Sequence, residues 1–583
     1  MTKPLTVYKA SAGSGKTFTL AVEYIKLLVE NPQQYRNILA VTFTNKATEE
    51  MKMRILSQLY GIWNQYPDSD QYTKKICAEL NCSVEFLRGR VNTALKLLIH
   101  NYSFFRIETI DSFFQSVLRN LAHELDLTPN LRIELNDDEV EERAVDKMIE
   151  ELTPNKDIMD WIMAYIRDAM QDDKSWNVIG QIKKFGLTIF KDFYKDNHKE
   201  LSDAIGDIDA YKAYIRHLKK ERDEAVNRVK KISASFYKTI GDANLTVDDF
   251  LYKKSGVVGL FEKIKNGPIP PSEIKGRQIS AVGNPDNWVT NKHKRADEIK
   301  ALVSSDLNPL LEQVVNNMAN EWKTYQTAQL TLRHLYQLRL LDAIEKTVRT
   351  MNEEAGQFLL SDTQHLLRSL IDNSDSPFIF EKIGSRLEHI MIDEFQDTSV
   401  VQWNNFKVLL EECMSHKGSH NLIVGDVKQS IYRWRSGDWR LLNDIEGNFR
   451  NASKMVEVMP LKTNYRSQAV IINFNNVFFK EAKTIEYDNH KLILPDDADQ
   501  LRRGYSDVVQ RRRRGIGKKG LVEITLLPKE DSQQETLKMV SDTLKTLIEA
   551  GAKQSDIAIL VRTNASIPLI ADYLAQECPD IQV

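Results

Sequence analysis

The segment ASAGSGKT runs from Ala10 to Thr17 and sets two glycines between an apolar run and a helical pattern. Glycine lets backbone N–H groups turn inward and surround phosphate oxygens at a helix N-terminus. On this spacing Ala10, Ser11, Ala12, Gly13, Ser14 and Gly15 form the cradle. Lys16 can reach the β- and γ-phosphates of a nucleoside triphosphate, and the Thr17 hydroxyl can bind Mg²⁺. The competing reading is a glycine-rich turn with a chance GKT. The strand, loop and helix pattern around the segment favours the phosphate loop.

A second candidate is IMIDEFQDT, an apolar run that ends in adjacent carboxylates. Beside a bound triphosphate, Asp393 would hold the magnesium. Glu394 would orient or deprotonate the attacking water. An acidic turn at a strand end is the plain alternative, and the phosphate loop upstream argues against it.

The third is LIVGDVKQSIYRWRSGD, where Gln429 follows a strand pattern and is suited to sensing a γ-phosphate. Tyr432, Arg433, Trp434 and Arg435 come next. Aromatics interleaved with arginines suit single-stranded nucleic acid, because bases stack on rings and phosphates pair with guanidinium groups. A partly buried Trp434 with arginines packed over it is the structural alternative. LKTNYRSQ adds Tyr465 and Arg466, suited to an adenine face and a γ-phosphate.

These residues need a scaffold that delivers them to one edge. Near the N-terminus, short apolar runs ending in Gly, Ser, Thr or Asp alternate with helical patterns, the signature of a parallel sheet flanked by helices. LTVYKASAGSGKTFTLAVEYIKLLV, RNILAVTFTNKATEEMKMRIL and FFRIETIDSFFQSVLRNL each read as strand, loop and helix. From about Ala122 to about Arg386 the pattern becomes charged and amphipathic, which predicts a mainly helical insertion. The proline-bearing segment GPIPPSEIKGRQISAVGNPDN inside it predicts a surface loop. Strand patterns return at LEHIMIDEF and NLIVGD and complete the sheet begun at Leu5. A new α/β unit is expected after Pro460, with strands at LVEITLL and SDIAILVRT.

A chain of 583 residues exceeds one ordinary core at roughly 100–200 residues per domain. With 42% hydrophobic and 28% charged residues it reads as a globular protein. Lys+Arg 79 against Asp+Glu 82 leaves a net charge of −3, so a polyanion must be met by a local basic surface. No secretory leader is recognisable, and no run approaches the roughly 20 apolar residues of a membrane span. A cytoplasmic location without membrane attachment is expected. The cysteines Cys77, Cys82, Cys413 and Cys578 lack zinc-site spacing and read as reduced thiols.

In this order, the segments resemble the motifs of superfamily 1 DNA helicases of the UvrD/Rep type. TFTNKATEEM resembles the motif after the phosphate loop. YKASAGSGKTFTL, TIDSFFQSVLRNLAHELDLTPNLRI and VGDVKQSIYRWR are spelled as in the RecB and AddA branch, and SDIAILVRTNASIPLIADYL resembles a later stretch of the second motor domain.

The resemblance implies an α/β fold of phosphate-loop, RecA-like motor domains with a large helical insertion. Residues 1–121 and 386–460 would form the first motor domain, 122–385 the insertion, and 461–583 the start of a second motor domain. It implies that Lys16, Thr17, Asp393, Glu394, Gln429 and Arg466 surround Mg·ATP, with Tyr465 stacked on adenine. Phe43, Asn45, Thr109, Tyr432, Trp434 and Arg435 would line the path of single-stranded DNA.

The implied activity is ATP-driven 3′ to 5′ translocation and unwinding. The implied setting is a RecB/AddA-like helicase-nuclease that acts on duplex ends in double-strand-break repair and recombination, with an AddB-like nuclease partner. The alternative is an ATP-binding DNA scaffold without productive turnover; the intact Asp393–Glu394 pair argues against it.

The sequence departs from the family in three places. Asp111 stands where UvrD-type relatives often carry histidine. The upstream glutamine segment that reads adenine has no counterpart before Leu5. The last two motifs, with an arginine that faces the γ-phosphate, have none before Val583, so the chain is expected to be part of a longer protein with any nuclease domain beyond it.

Two weaker signals remain. The basic stretch from Arg502 to Lys519 reads as a solvated loop or a phosphate contact. Glu273-Ile274-Lys275 matches a short nuclease signature without its structural context and reads as chance.

Overall fold

The computed structural model describes residues 3–121, 132–134, 136–150, 178–373, 387–491, 494–517, 519–528 and 532–581, together with Met159, Ile162 and Met163. Expectations at 122–131, at Arg386 and at Lys518 lie outside these residues. The chain divides into two compact units, Met1–Ala10 with Gly15–Leu461, and Ser11–Ser14 with Lys462–Val583.

The first unit is built on a parallel six-stranded sheet. In chain order the strands are β1 (Leu5–Ala10), β2 (Ile38–Thr42), β3 (Ile107–Thr109), β6 (His389–Ile392), β7 (Asn421–Gly425) and β8 (Val456–Leu461); β4 and β5 lie in the insertion. The order across the sheet is β3-β2-β6-β7-β1-β8. All five pairings are parallel. The segments around Ile390 and Ile423 thus enter the middle of the sheet, as their apolar runs predict. β8 is not legible in the sequence, because VEVMPL mixes polar and apolar residues in the manner of an edge strand.

Alternate residues of each strand face opposite sides. Leu5, Val7, Leu39, Val41, Ile390, Ile392 and Ile423 share one core with Phe113, Phe114, Trp403 and Phe406. Ile38, Ala40, Ile107, Met391, Leu422 and Val424 share the other with Tyr24, Ile25, Leu28, Ile55 and Leu98. Burial on both faces explains the near-continuous apolar runs that make these strands legible. The first core is covered by helices α5 (Ile110–Leu121) and α13 (Val400–Ser415). The second is covered by α1 (Lys16–Glu30), α2 (Asn45–Asn64) and α4 (Val84–His100), with α3 (Asp70–Leu80) beside them.

The insertion is helical as expected: α6 (Asp137–Glu150), α7 (Val178–Gly186), α8 (Asp192–Gly206), α9 (Ile208–Asp242), α10 (Val257–Lys263), α11 (Asn308–Ala355) and α12 (Leu360–Asn373). A short parallel pair, β4 (Arg132–Glu134) and β5 (Gln357–Leu359), departs from that expectation. α9 and α11 have 35 and 48 residues, about 50 and 70 Å at a rise of about 1.5 Å per residue.

α9 and α11 run antiparallel. Tyr211 and Ile215 pack with Leu332, Leu340 and Ile344, whereas Val229, Phe236 and Ile240 pack with Leu311, Val314 and Met318. The second of these clusters also holds Phe261 and Trp288, and the Phe236 and Phe261 rings stack 3.8 Å apart. The proline-bearing segment is less of a surface loop than predicted: Gln278 and Ala281 are buried, and the Ala281 carbonyl accepts the indole N–H of Trp288, the buried residue that follows the segment, at 2.9 Å. Leu367 of α12 joins the motor core.

In the second unit, β9 (Thr463–Asn464) pairs in parallel with β10 (Arg511–Arg512), α14 (Ala469–His490) lies against α15 (Pro495–Gly504), and α16 (Ser532–Glu549) packs on α17 (Ser566–Glu577) through Leu544, Leu574 and Cys578. The strands expected at LVEITLL and SDIAILVRT do not form. Those segments take no place in a ladder among the described residues, and Leu526 and Leu560 are 91% and 94% exposed. An apolar run makes a strand only where another strand satisfies its backbone groups.

Candidate nucleotide and single-strand site

Lys16 opens α1 directly after Gly15, whose φ of +86° is left-handed, as is the +71° of Gly13. Only glycine takes such angles without strain, which explains why these two positions are glycine. Ala10 closes β1, and within the loop the Ser14 N–H donates to the Ser11 carbonyl at 3.1 Å while the Ser11 N–H donates to Ser14 Oγ at 3.2 Å. Thr17 follows as the second residue of the helix.

Asp393 leaves the end of β6, where its N–H donates to the Val41 carbonyl at 3.0 Å and anchors it to β2. Its carboxylate accepts the Glu394 N–H at 2.9 Å. Burial, followed by the charge of Glu394, pushes the Asp393 carboxyl up to about 6, against an opposing pull from Lys16. Glu394 sits at a φ of +49°, an uncommon angle for a side chain of this size, of the kind that clusters at functional sites. Lys16 Nζ lies 2.5 Å from Glu394 Oε2 and donates to Gln429 Oε1 at 3.3 Å.

Lys16, Glu394 and Gln429, far apart in the chain, therefore meet at the C-terminal edge of the sheet, where α/β proteins bind ligands. The Asp393 carboxylate and the Thr17 hydroxyl are each oxygen donors of the kind that Mg²⁺ takes together with phosphate oxygens. Among the described residues no cluster of three or more His, Cys, Asp or Glu could hold a metal alone.

Sequence reasoning missed the polar scaffold behind these groups. Gln396 is buried; its side-chain amide donates to Glu394 Oε2 at 2.8 Å and to Asp397 Oδ2 at 3.2 Å, and its side-chain Oε1 accepts the Asp426 N–H at 2.9 Å. Asp426, also buried, accepts from the Gln429 amide at 2.8 Å. Gln396 stands in IMIDEFQDT, but nothing local marks it, since its decisive partner lies 30 residues away.

The aromatic segment is largely open. Trp434 is 61% exposed, and the Arg435 guanidinium packs over its ring, 4.6 Å from the centroid, a geometry that suits both readings of this segment. Tyr432 stands 4.6 Å from Phe43 and 6.1 Å from Trp434, so three rings from two loops form a row. Asn45 is exposed at the start of α2, where the Thr44 hydroxyl caps the helix through the Ala47 N–H at 3.1 Å. Thr109 ends β3 and caps α5 through the Ser112 N–H at 3.2 Å.

Asp111 accepts from the Gln402 amide at 3.1 Å. The insertion reaches the aromatic loop as well: Lys191 Nζ donates to the Trp434 carbonyl at 3.1 Å.

Tyr465 and Arg466 belong to the second unit. Asn464 Oδ1 accepts the N–H groups of Arg466 and Ser467, both at 2.9 Å, and so shapes the turn that carries them, while the Tyr465 ring is exposed. In the basic stretch, Arg502 pairs with Asp499 at 2.9 Å, and Arg511–Arg514 are exposed. Glu273 pairs with Lys263 at 2.7 Å, an ordinary surface contact. All four cysteines are free.

Sheet, glycine loop and acidic strand end make this a phosphate-loop α/β protein, with a RecA-like parallel sheet and a helical insertion. Residues 1–450 match the UvrD/REP helicase N-terminal domain and residues 459–583 the UvrD-like helicase C-terminal domain, so the chain belongs to the UvrD/REP helicase family. It is 24% identical, over 97% of its length and 46% of theirs, to an ATP-dependent helicase/nuclease subunit of Lactococcus lactis subsp. cremoris strain SK11 and to the exonuclease/helicase subunit RexA of strain MG1363. An ATP-dependent helicase/nuclease subunit of Clostridium botulinum is 24% identical over 90% of the chain and 42% of that protein. The chain spans less than half the length of these curated relatives. No helix among the described residues is long and apolar enough to cross a membrane.

Proposed function

We propose that this chain is the ATP-driven motor of a DNA helicase that moves 3′ to 5′ along single strands, within a RecB/AddA-like helicase-nuclease that acts on duplex ends in double-strand-break repair and recombination. The relatives are named as subunits of a helicase/nuclease, which supports a partner subunit; the reading takes that partner to be an AddB-like nuclease and the setting to be cytoplasmic. The observation that carries the reading is the meeting of Lys16, Glu394 and Gln429 beside Asp393, on the sheet that also bears the Phe43, Tyr432 and Trp434 row.

The Ala10 to Gly15 backbone and Lys16 bind the phosphates of ATP, with Thr17 and Asp393 as the Mg²⁺ ligands. Bound Mg²⁺ supplies charge neutralisation on the phosphate oxygens. Glu394 takes a proton from the attacking water, Gln429 senses the γ-phosphate, and Tyr465 and Arg466 serve adenine and phosphate. Phe43, Asn45, Thr109, Tyr432, Trp434 and Arg435 hold the single strand by stacking and phosphate contacts. Differential affinity for DNA between nucleotide states drives translocation.

The test is ATP turnover with and without single-stranded oligo(dT), in the native chain and in Lys16→Ala. DNA-stimulated turnover that vanishes in the variant is expected; turnover that survives would sink the assignment. ATP binding with no turnover in the complete protein favours the scaffold reading. Substrates with either a 3′ or a 5′ tail decide polarity.

A further inference from the structure

The nucleotide groups and the stacking row are joined by more than a shared sheet. Asp397 lies between them. It is 4% exposed, accepts the Gln396 amide at 3.2 Å, and has its other carboxylate oxygen buried without a hydrogen-bond partner, with the backbone N–H of Ile431 among the groups that act on it. Ile431 directly precedes Tyr432. The same two strands of chain are riveted on either side: the Ser430 hydroxyl donates to the Gln396 carbonyl at 3.2 Å, the Asp438 N–H donates to the Thr398 carbonyl at 3.0 Å, and Ser399 and Gly437 form an isolated antiparallel bridge. A side chain at Gly437 would place its Cβ 2.8 Å from the Asp397 carbonyl oxygen, so the close approach is built in.

On the other flank, Gln396 spends its one amide group on both Glu394 and Asp397. Glu394 is in turn held by Lys16. A triphosphate competes with Glu394 for the Lys16 ammonium, and a shift of Glu394 alters how the Gln396 amide is divided between its two acceptors. A buried network transmits such a change because each unmade bond is costly there.

We propose that Asp397, through Gln396, is the positioning residue that couples nucleotide occupancy of the Lys16–Glu394 pair to the seat of Tyr432 and Trp434 on single-stranded DNA. The inference rests on the function proposed above and adds to it the residues that carry the signal. Asp397 touches neither ligand; it acts on the Ile431 to Trp434 loop.

Coupling between two ligands is reciprocal and is measured without turnover. The affinity of fluorescent oligo(dT) is measured with and without a magnesium complex of a non-hydrolysable ATP analogue. The measurement is made on the native chain, on Asp397→Ala, which removes the carboxylate, on Asp397→Asn, which keeps one acceptor oxygen and the size of the side chain, and on Ser430→Ala. In the native chain the analogue should change DNA affinity by about fivefold or more in either direction, and in Asp397→Ala by less than about twofold, with each ligand's separate affinity nearly unchanged. Asp397→Asn should restore much of the factor and Ser430→Ala should reduce it.

A native factor retained in Asp397→Ala overturns the inference, even if both affinities fall together, since that is the mark of a merely structural residue. A native factor of one overturns it too. Should Asp397→Ala lose its cooperative thermal transition, Ser430→Ala decides, and an unchanged factor there is a refutation. A native chain that binds neither ligand defeats the helicase reading itself, a result distinct from the others.

Discussion

Lys16 Nζ and Glu394 Oε2 lie 2.5 Å apart, although 378 residues separate them in the chain. The proposed phosphate-binding cation and the proposed water-activating acid thus hold one another, with the Lys16 side chain 11% exposed and that of Glu394 33%. Breaking a partly buried pair by removing one partner strands the other charge.

This pairing gives a prediction for Glu394→Gln. The amide keeps the shape and still binds Lys16 weakly, but it cannot take a proton from water. Nucleotide affinity should stay within about threefold of native, while turnover falls by about 10²–10⁴. Equilibrium binding of a fluorescent ATP analogue and steady-state phosphate release measure the two; turnover near the native rate would remove Glu394 from the role of base.

Asp393 predicts a pH dependence. Its folded pKa is raised to about 6 from 3.8 by burial and by the charge of Glu394. The raised value means that ionised Asp393 costs stability above about pH 6, and that this cost is relieved as the pH falls from 6 towards 3.8. Mg²⁺ requires the ionised form, so binding must displace a proton below about pH 6. Affinity for Mg·nucleotide should then fall about tenfold per pH unit below pH 6 and level off above it. Isothermal titration between pH 5 and 8 checks this, with Asp393→Asn expected to bind weakly and without the slope. Asp397, also raised to about 6 by burial, remains in that variant and serves as the internal control.

Trp434 should act as a base platform. Trp434→Ala is expected to weaken oligo(dT) binding by about 1–3 kcal/mol, the value of one base-aromatic stack, and Trp434→Phe by less. DNA-free ATP affinity should not change in either. Fluorescence anisotropy with labelled oligo(dT) reads the difference, and native affinity in the Ala variant would return Trp434 to a purely structural role.

In the insertion, Glu141 is 1% exposed, and Gly186 packs on it so closely that an added Cβ would collide with the Glu141 carboxylate. Burial pushes the Glu141 carboxyl up to about 8 from 4.5. Because the unfolded chain gives up this proton first, stability falls between pH 4.5 and 8 by roughly 1.4 kcal/mol per unit, and above pH 8 the loss is complete. Glu141→Gln should therefore melt higher than native at pH 8 and nearly alike at pH 4.5. Thermal denaturation at the two values tests it; equal shifts at both would mean that Glu141 is ionised in the fold.

Phe236 packs face to face on Phe261 inside a cluster separate from the motor core. Phe236→Ala should cost about 3–5 kcal/mol in that part of the insertion while leaving nucleotide affinity intact. Proteolysis followed by mass spectrometry would locate the loosened segment; a parallel loss of nucleotide binding would show the two cores to be coupled.

The parallel sheet, the phosphate loop and the acidic strand end are legible in the amino-acid order alone, because each depends on neighbours within a few residues. Apolar runs buried on both faces, glycines at left-handed angles, and carboxylates at the close of a strand are local facts. The long helices of the insertion show in the same way, through their period. Other features exist only through contacts that folding creates. β8, with its mixed VEVMPL composition, is a strand because β1 offers it an edge. LVEITLL and SDIAILVRT carry apolar runs of strand length and yet form no ladder among the described residues, because a strand is made by its partner. Gln396, Asp397 and Asp426 look like ordinary polar residues beside the motifs. Their meaning comes from a network tied by hydrogen bonds that close across 30 or more residues, and such bonds exist only once the sheet has brought β6 and β7 side by side.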